Sequence, residues 1–122
     1  MPEANKAVIE RKKGYLYVEY SKLYNMDDLV NLSKEALDIS KSEGIKKLFL
    51  NVSQMPGKVK PMDRYEIGVK AAFLFRYKLK IAVLYKPEEI NGFAETVASN
   101  RGMNVKIFGK REEALAWLEV EE

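Results

Sequence analysis

The chain contains no cysteine and no histidine. The first absence excludes disulfides, a thiolate nucleophile and cysteine zinc sites. The second removes imidazole as a general base, as a triad member and as a metal ligand. Long apolar runs are also missing. The longest, such as Ala71 to Phe75 and Ile81 to Tyr85, hold five residues, whereas a membrane-spanning helix needs about 20. The opening Met1-Pro2-Glu3-Ala4-Asn5-Lys6 lacks the apolar segment of a secretory signal. These features lead us to expect a soluble, cytoplasmic chain without stable membrane insertion. No repeat, low-complexity stretch or linker is present.

Asp, Glu, Lys, Ser, Thr and Tyr remain for catalysis, and no constellation of them stands out. The pairs Glu88-Glu89 and Glu112-Glu113 are adjacent, and adjacent helical residues do not face one another. No spacing indicates a metal site. Pro56-Gly57-Lys58 is far from a phosphate-cradling GxxxxGK[ST] loop. We therefore expect a non-enzymatic protein with no cofactor and no metal.

What is present is ordinary globular material. The 122 residues are 47% apolar and 32% charged, which fits one domain spanning 1–122. The net charge of +3 is too small to argue for nucleic acid, and none is expected as a partner. Its distribution is uneven. Residues 41–80 carry ten basic and three acidic side chains, a local +7 against −4 for the remainder. Such a segment suits an anionic surface, a phosphate or an acidic protein. Equally, it suits a solvated face whose acids come from elsewhere in the fold.

The patterning resolves into alternating elements. Residues 7–11 and 15–20 are rich in Val, Ile and Tyr around Lys12-Lys13-Gly14, a hairpin signal. Leu16, Val18 and Tyr20 share one face and Tyr15, Tyr17 and Glu19 the other, and one face is expected to meet a core. Asn25 is a candidate N-cap, with Asp27 and Asp28 in the first turn. Leu29, Leu32, Ala36 and Ile39 form a helical stripe, and Gly44 ends the helix. Lys47 to Val52 reads as a buried strand and Ser53 to Pro61 as an irregular stretch. Met62 to Leu79 reads as a helix with a small-residue stripe, Gly68, Ala71, Ala72, Phe75 and Leu79, and with further apolar residues off that stripe. Lys80 to Tyr85 is a strand. A short helix capped by Asn91 runs to about Asn100, followed by strand Asn104 to Phe108. The last helix opens at Glu112, with Trp117 in the core. The order β-β-α-β-α-β-α-β-α indicates an α/β fold. Its sheet is mixed and mostly parallel, of about five strands with an N-terminal hairpin, and it carries about four helices.

The segments Phe93–Gly102, Val105–Phe108 and Glu113–Leu118, together with Asp63-Arg64-Tyr65-Glu66-Ile67-Gly68, resemble bacterial SpoIIAA-like proteins. These belong to the STAS superfamily of sulphate transporters and anti-sigma-factor antagonists. The resemblance implies the SpoIIAA-like fold and a regulatory, protein-binding role. In the anti-sigma antagonists a serine at the start of the second helix is phosphorylated and controls binding. Here the corresponding Val59-Lys60-Pro61-Met62-Asp63-Arg64 contains no Ser or Thr, and Ser53 lies earlier, at a strand end. Asp63 reads either as a permanently charged mimic or as a helix cap facing the dipole.

Two groups are singled out. Ser53, Gln54, Lys58, Lys60, Asp63 and Arg64 gather around the loop that opens the second helix. Strand carboxyl ends are favoured ligand positions in α/β sheets, and helix N-terminal N–H groups receive anions. The group reads as a site for a ligand or partner, or as a plain connection. Ile67, Phe73, Leu74 and Tyr77 form extra apolar surface on the same helix. It reads as a face for a protein partner or a second copy in a homodimer, as the wall of a pocket for a lipid or anion-headed apolar ligand (related SEC14-type domains bind lipids so), or as surface buried by neighbours. Asn100-Arg101-Gly102 matches a family signature, and left-handed helix closure accounts for it equally well.

Overall fold

In the computed structural model, which describes residues 6–75 and 79–122, the hairpin signal is realised as β1 (Ala7–Lys12) and β2 (Tyr15–Tyr20). They pair antiparallel, with Ala7 opposite Tyr20 and Lys12 opposite Tyr15. Gly14 takes the turn at φ +85°, a conformation that costs any side-chain-bearing residue. Helix α1 (Met26–Glu43) begins where Asn25 accepts from the Asp28 N–H at 2.9 Å and ends at Gly44, φ +69°. Each end thus has the chemistry a terminus needs.

Strand β3 (Lys47–Asn51) leads through an irregular stretch to α2 (Pro61–Leu74), followed by β4 (Lys80–Leu84) and a single 3-10 turn at Pro87–Glu89. Helix α3 (Phe93–Ser99), strand β5 (Asn104–Phe108) and helix α4 (Arg111–Leu118) complete the chain. Sheet order equals chain order, β1-β2-β3-β4-β5, and every pair after the hairpin is parallel. Strands added successively in one direction, with one crossover hand, place every crossover helix on the same face. Accordingly α1, α2 and α3 share a face, where Leu16, Val18, Leu48 and Ile81 are buried. On the other face α4 covers Tyr15, Tyr17, Phe49 and Ala82.

This corrects one expectation. Both faces of β2 meet a core, because α4 folds back under the sheet and Tyr15 and Tyr17 are buried as well as Leu16 and Val18. Alternation identifies two faces and cannot say that only one is covered. Helix α2 is shorter than its apolar pattern indicates. Phe75 closes it, its N–H bonded to the Ala71 carbonyl, and Leu79 is buried ahead of β4, whose Lys80 N–H reaches the Lys46 carbonyl at 2.9 Å. The pattern ran on because Leu79 must be buried in either conformation. Trp117 is half-buried, its ring 5.7 Å from Phe108.

Candidate functional site

Strands buried on both faces normally hide every side chain. Leu50 in β3 and Val83 in β4 do not: both are only half-buried, and they are register partners in neighbouring central strands. Above them the helices leave a cavity of about 180 Å³. Its floor is Leu50, Val83 and Ile107, its walls include Leu29 of α1 with Ile67, Ala71 and Leu74 of α2, and Met55, Val59 and Tyr85 close the end at the strand carboxyl termini. Ser33 and Lys70 lie along the α1–α2 side, and Phe93 and Ala94 on the α3 side.

Few polar groups line this space, and two are already engaged. The Arg64 guanidinium donates to the Val59 carbonyl at 2.9 Å, to the Glu89 carbonyl at 2.8 Å and to the Glu89 carboxylate at 3.4 Å. It lies 5.8 Å from the centre of the Tyr85 ring. Glu95 accepts from the Ile107 N–H at 2.8 Å, a donor on the free edge of β5. The hydroxyls of Tyr85 and nearby Tyr24 are buried without a hydrogen-bond partner among the described residues. Burial raises both phenols. Arg64 opposes the rise at Tyr85, while Asp63 and Glu66 add to it at Tyr24, which is pushed up to about 12.

The residues expected to form one loop site are dispersed. Ser53 turns inward to a separate network: its N–H and hydroxyl donate to the Asn51 side-chain oxygen at 3.0 and 2.6 Å. The Asn51 amide donates to the Tyr17 hydroxyl at 2.9 Å, which donates to Glu19 at 2.7 Å. Gln54 and Lys60 are exposed. Lys58 is 82% exposed, 3.9 Å from Glu89, a surface pair of little energetic weight. Asp63 lies in the first turn of α2, facing its dipole, but the cap position belongs to Lys60, with no side-chain cap bond and Pro61 following. Of this group Arg64 alone lines the cavity.

The apolar group divides by helix geometry. Ile67 and Leu74 line the cavity, whereas Phe73 points outward and is 65% exposed. Tyr77 lies outside the described residues. Asn91 serves α3 as expected in kind, accepting from the Phe93 N–H at 3.0 Å, though Gly92 occupies the cap position. Gly102, at φ +93°, and Arg101, bonded to the Val97 carbonyl at 3.1 Å, close α3. Residue spacing did not single out Leu50, Val83 or Tyr85. The one signal available for the Tyr17–Asn51–Ser53 network was an asparagine closing an otherwise apolar strand.

Among the described residues no cluster of His, Cys, Asp or Glu has the form of a metal site, and no helix is long and apolar enough to cross a membrane. Neither a family model nor a curated protein matches the chain. Among solved structures it is similar to an uncharacterized protein of the DUF3478 family from Shewanella loihica PV-4, described as having a SpoIIAA-like fold. Identity is 22%, coverage is 93% of this chain and 92% of that one, and the TM-score is 0.54. At that identity the likeness is one of fold, and the chain has a SpoIIAA-like fold.

Proposed function

We propose that this chain is a non-enzymatic, STAS-type binding domain whose occupant is a small apolar molecule or the apolar end of a lipid, held between the sheet and α1–α3. The observation that carries the reading is the 180 Å³ cavity over the half-buried central pair Leu50 and Val83. At roughly 24 cal/mol per Å³, an unfilled void of this size forgoes at most about 4 kcal/mol of packing. That is a large share of the roughly 5–15 kcal/mol by which a domain is stable. Apolar cavities of about 150 Å³ take up molecules such as benzene, and this one is partly open to solvent, which gives such a molecule a way in.

The test is methyl NMR with ethylbenzene as a purely apolar probe, alongside native mass spectrometry of freshly purified protein. Shifts should concentrate at Leu50, Val83, Ile67 and Leu74, and Ala71→Met, which fills the cavity, should abolish them. Unmoved methyls, together with repeatedly empty protein, sink the reading.

A second reading, a protein-interaction domain that meets a second copy through α2, is favoured by Met62 at 69%, Phe73 at 65% and Tyr65 at 41% exposure. It would operate without the phosphorylatable serine, since residues 59–64 hold no hydroxyl. Sedimentation equilibrium decides it: Met62→Glu with Phe73→Glu should shift dimer to monomer, and a wild-type monomer at high concentration removes it.

A further inference from the structure

The polar groups that line the apolar cavity are not equivalent. At its closed end Arg64 is committed to the Val59 carbonyl and to Glu89. On the α3 side Glu95 is committed to the Ile107 N–H and Asn91 to the Phe93 N–H. Ser33 of α1 and Lys70 of α2 line the same space, and neither side chain has a hydrogen bond or ion pair among the described residues. Ser33 is half-buried and Lys70 exposed, so the cavity reaches solvent between these two helices.

Their placement follows from the fold. Helices α1 and α2 each follow one of two neighbouring parallel strands, and both begin at the carboxyl end of the sheet. At 1.5 Å per residue, Ser33 stands about 10 Å and Lys70 about 13 Å along the axis from the start of its helix. The two therefore stand at nearly one height on either side of the gap over Leu50 and Val83. Glu95, on the α3 side, is the one carboxylate among the described lining residues. Glu66, one helical turn before Lys70, forms no ion pair with it.

We infer that the occupant is a monocarboxylate with an apolar tail, the tail lying over Leu50 and Val83 and the carboxylate at the mouth between Ser33 and Lys70. This rests on the cavity being a binding site, and it adds the head group and its position. The Lys70 ammonium supplies the counter-charge, and the Ser33 hydroxyl donates to a carboxylate oxygen. Arg64, the other cation on the cavity, is already balanced by Glu89. A six-carbon ring fills a cavity of about 150 Å³, so this one, of about 180 Å³ and open at the mouth, takes a tail of about eight carbons.

The experiment titrates octanoate, octanol and octylamine into the whole chain at low salt, followed by amide- and methyl-detected NMR. The three share a tail, so octanol reads the cavity and the charged pair reads the mouth. Octanoate should bind about fivefold more tightly than octanol, the weight of one solvated ion pair, and more tightly still than octylamine. It alone should shift the amides of residues 33 and 70. Lys70→Gln, at an exposed position that leaves the fold intact, should lower octanoate affinity to that of octanol and leave octanol binding unchanged. Lys70→Glu should reverse the preference in favour of octylamine. Octanol binding with no preference for octanoate overturns the inference and leaves the cavity reading standing. A preference for octanoate that survives Lys70→Gln puts the head group elsewhere and also overturns it. Failure of all three to bind overturns both.

Discussion

Replacing Gly68 by alanine tests whether α2 and α3 meet as closely as the wall of the apolar cavity requires. A Cβ on residue 68 would lie 2.8 Å from Val97 Cγ1, 2.9 Å from Val97 Cβ and 2.9 Å from the Ala94 carbonyl oxygen. Two effects oppose each other. Alanine gains roughly 1 kcal/mol over glycine in helix propensity. Overpacking costs typically about 1–3 kcal/mol, and the upper part of that range applies here. One obstructing atom is backbone, and Val97, at 7% exposure, has little room to move. The net expectation is a loss of about 1–2 kcal/mol. For a chain of 122 residues, that lowers the melting temperature by about 5–10 °C, read by calorimetry or far-UV circular dichroism. Adding Val97→Ala should rescue only in part, because it removes Cγ1 and leaves the contacts with Cβ of residue 97 and the Ala94 oxygen. A rise in melting temperature for Gly68→Ala would refute the reasoning, since propensity would then act unopposed and the helices could not be packed at this point.

Three further outcomes follow from the same geometry. Arg64→Met should lower stability by about 2–4 kcal/mol in urea denaturation, because it strands the Val59 and Glu89 carbonyls and leaves the Glu89 carboxylate, 17% exposed, with Lys58 as its one ion-pair partner among the described residues. Ala71→Met should raise stability by about 0.5 kcal/mol in the same assay: three added groups gain roughly 2.4 kcal/mol by filling the cavity, and ordering the side chain costs about 1.5–2 kcal/mol. Alkaline stability should fall from about pH 10 towards pH 12, because the Tyr24 phenol is pushed up to about 12. The folded state then holds a proton that the unfolded chain releases near its ordinary value of 10, so the contribution is complete below pH 10 and lost as pH rises through 12. Tyr24→Phe should flatten that slope in melting curves recorded from pH 9 to 12.

The fold was legible because its signals are local. Asn25 and Gly44 bracket α1 by cap chemistry, Gly14 marks the hairpin, and period-two and period-3.6 patterns alternate along the chain. The sites were not, because a site is a relation between elements. The Ser53-to-Arg64 stretch looks like one cluster in sequence, yet Ser53 bonds inward to Asn51 while Arg64 turns towards Glu89, 25 residues further on. Lys47 and Lys80 stand far apart in the basic stretch and become neighbours only through the parallel pairing of β3 with β4. The small stripe of α2 announced close approach without naming the partner. Gly68 approaches α3 and not the sheet.

That last point explains the cavity itself. Helix α2 is drawn to α3 by the missing side chain of Gly68 and tied at its start by the bonds of Arg64 to residues 59 and 89. The Glu89 bonds and the Gly68 contact hold α2 towards α3 and the turn that precedes it. Helix α1 in turn buries Ala36, Leu37 and Ser40, all in its second half, while Leu29, Val30 and Ser33 of its first half stay half-buried. The first half of α1 and the inner side of α2 therefore part over Leu50 and Val83, and Ile67 and Leu74 face the gap without filling it. A larger residue at position 71 or 83 would close this wedge within the same fold. The space above the central strands is thus a consequence of which small residues stand at the helix crossings, and it can be altered without disturbing the caps and strand register that specify the architecture.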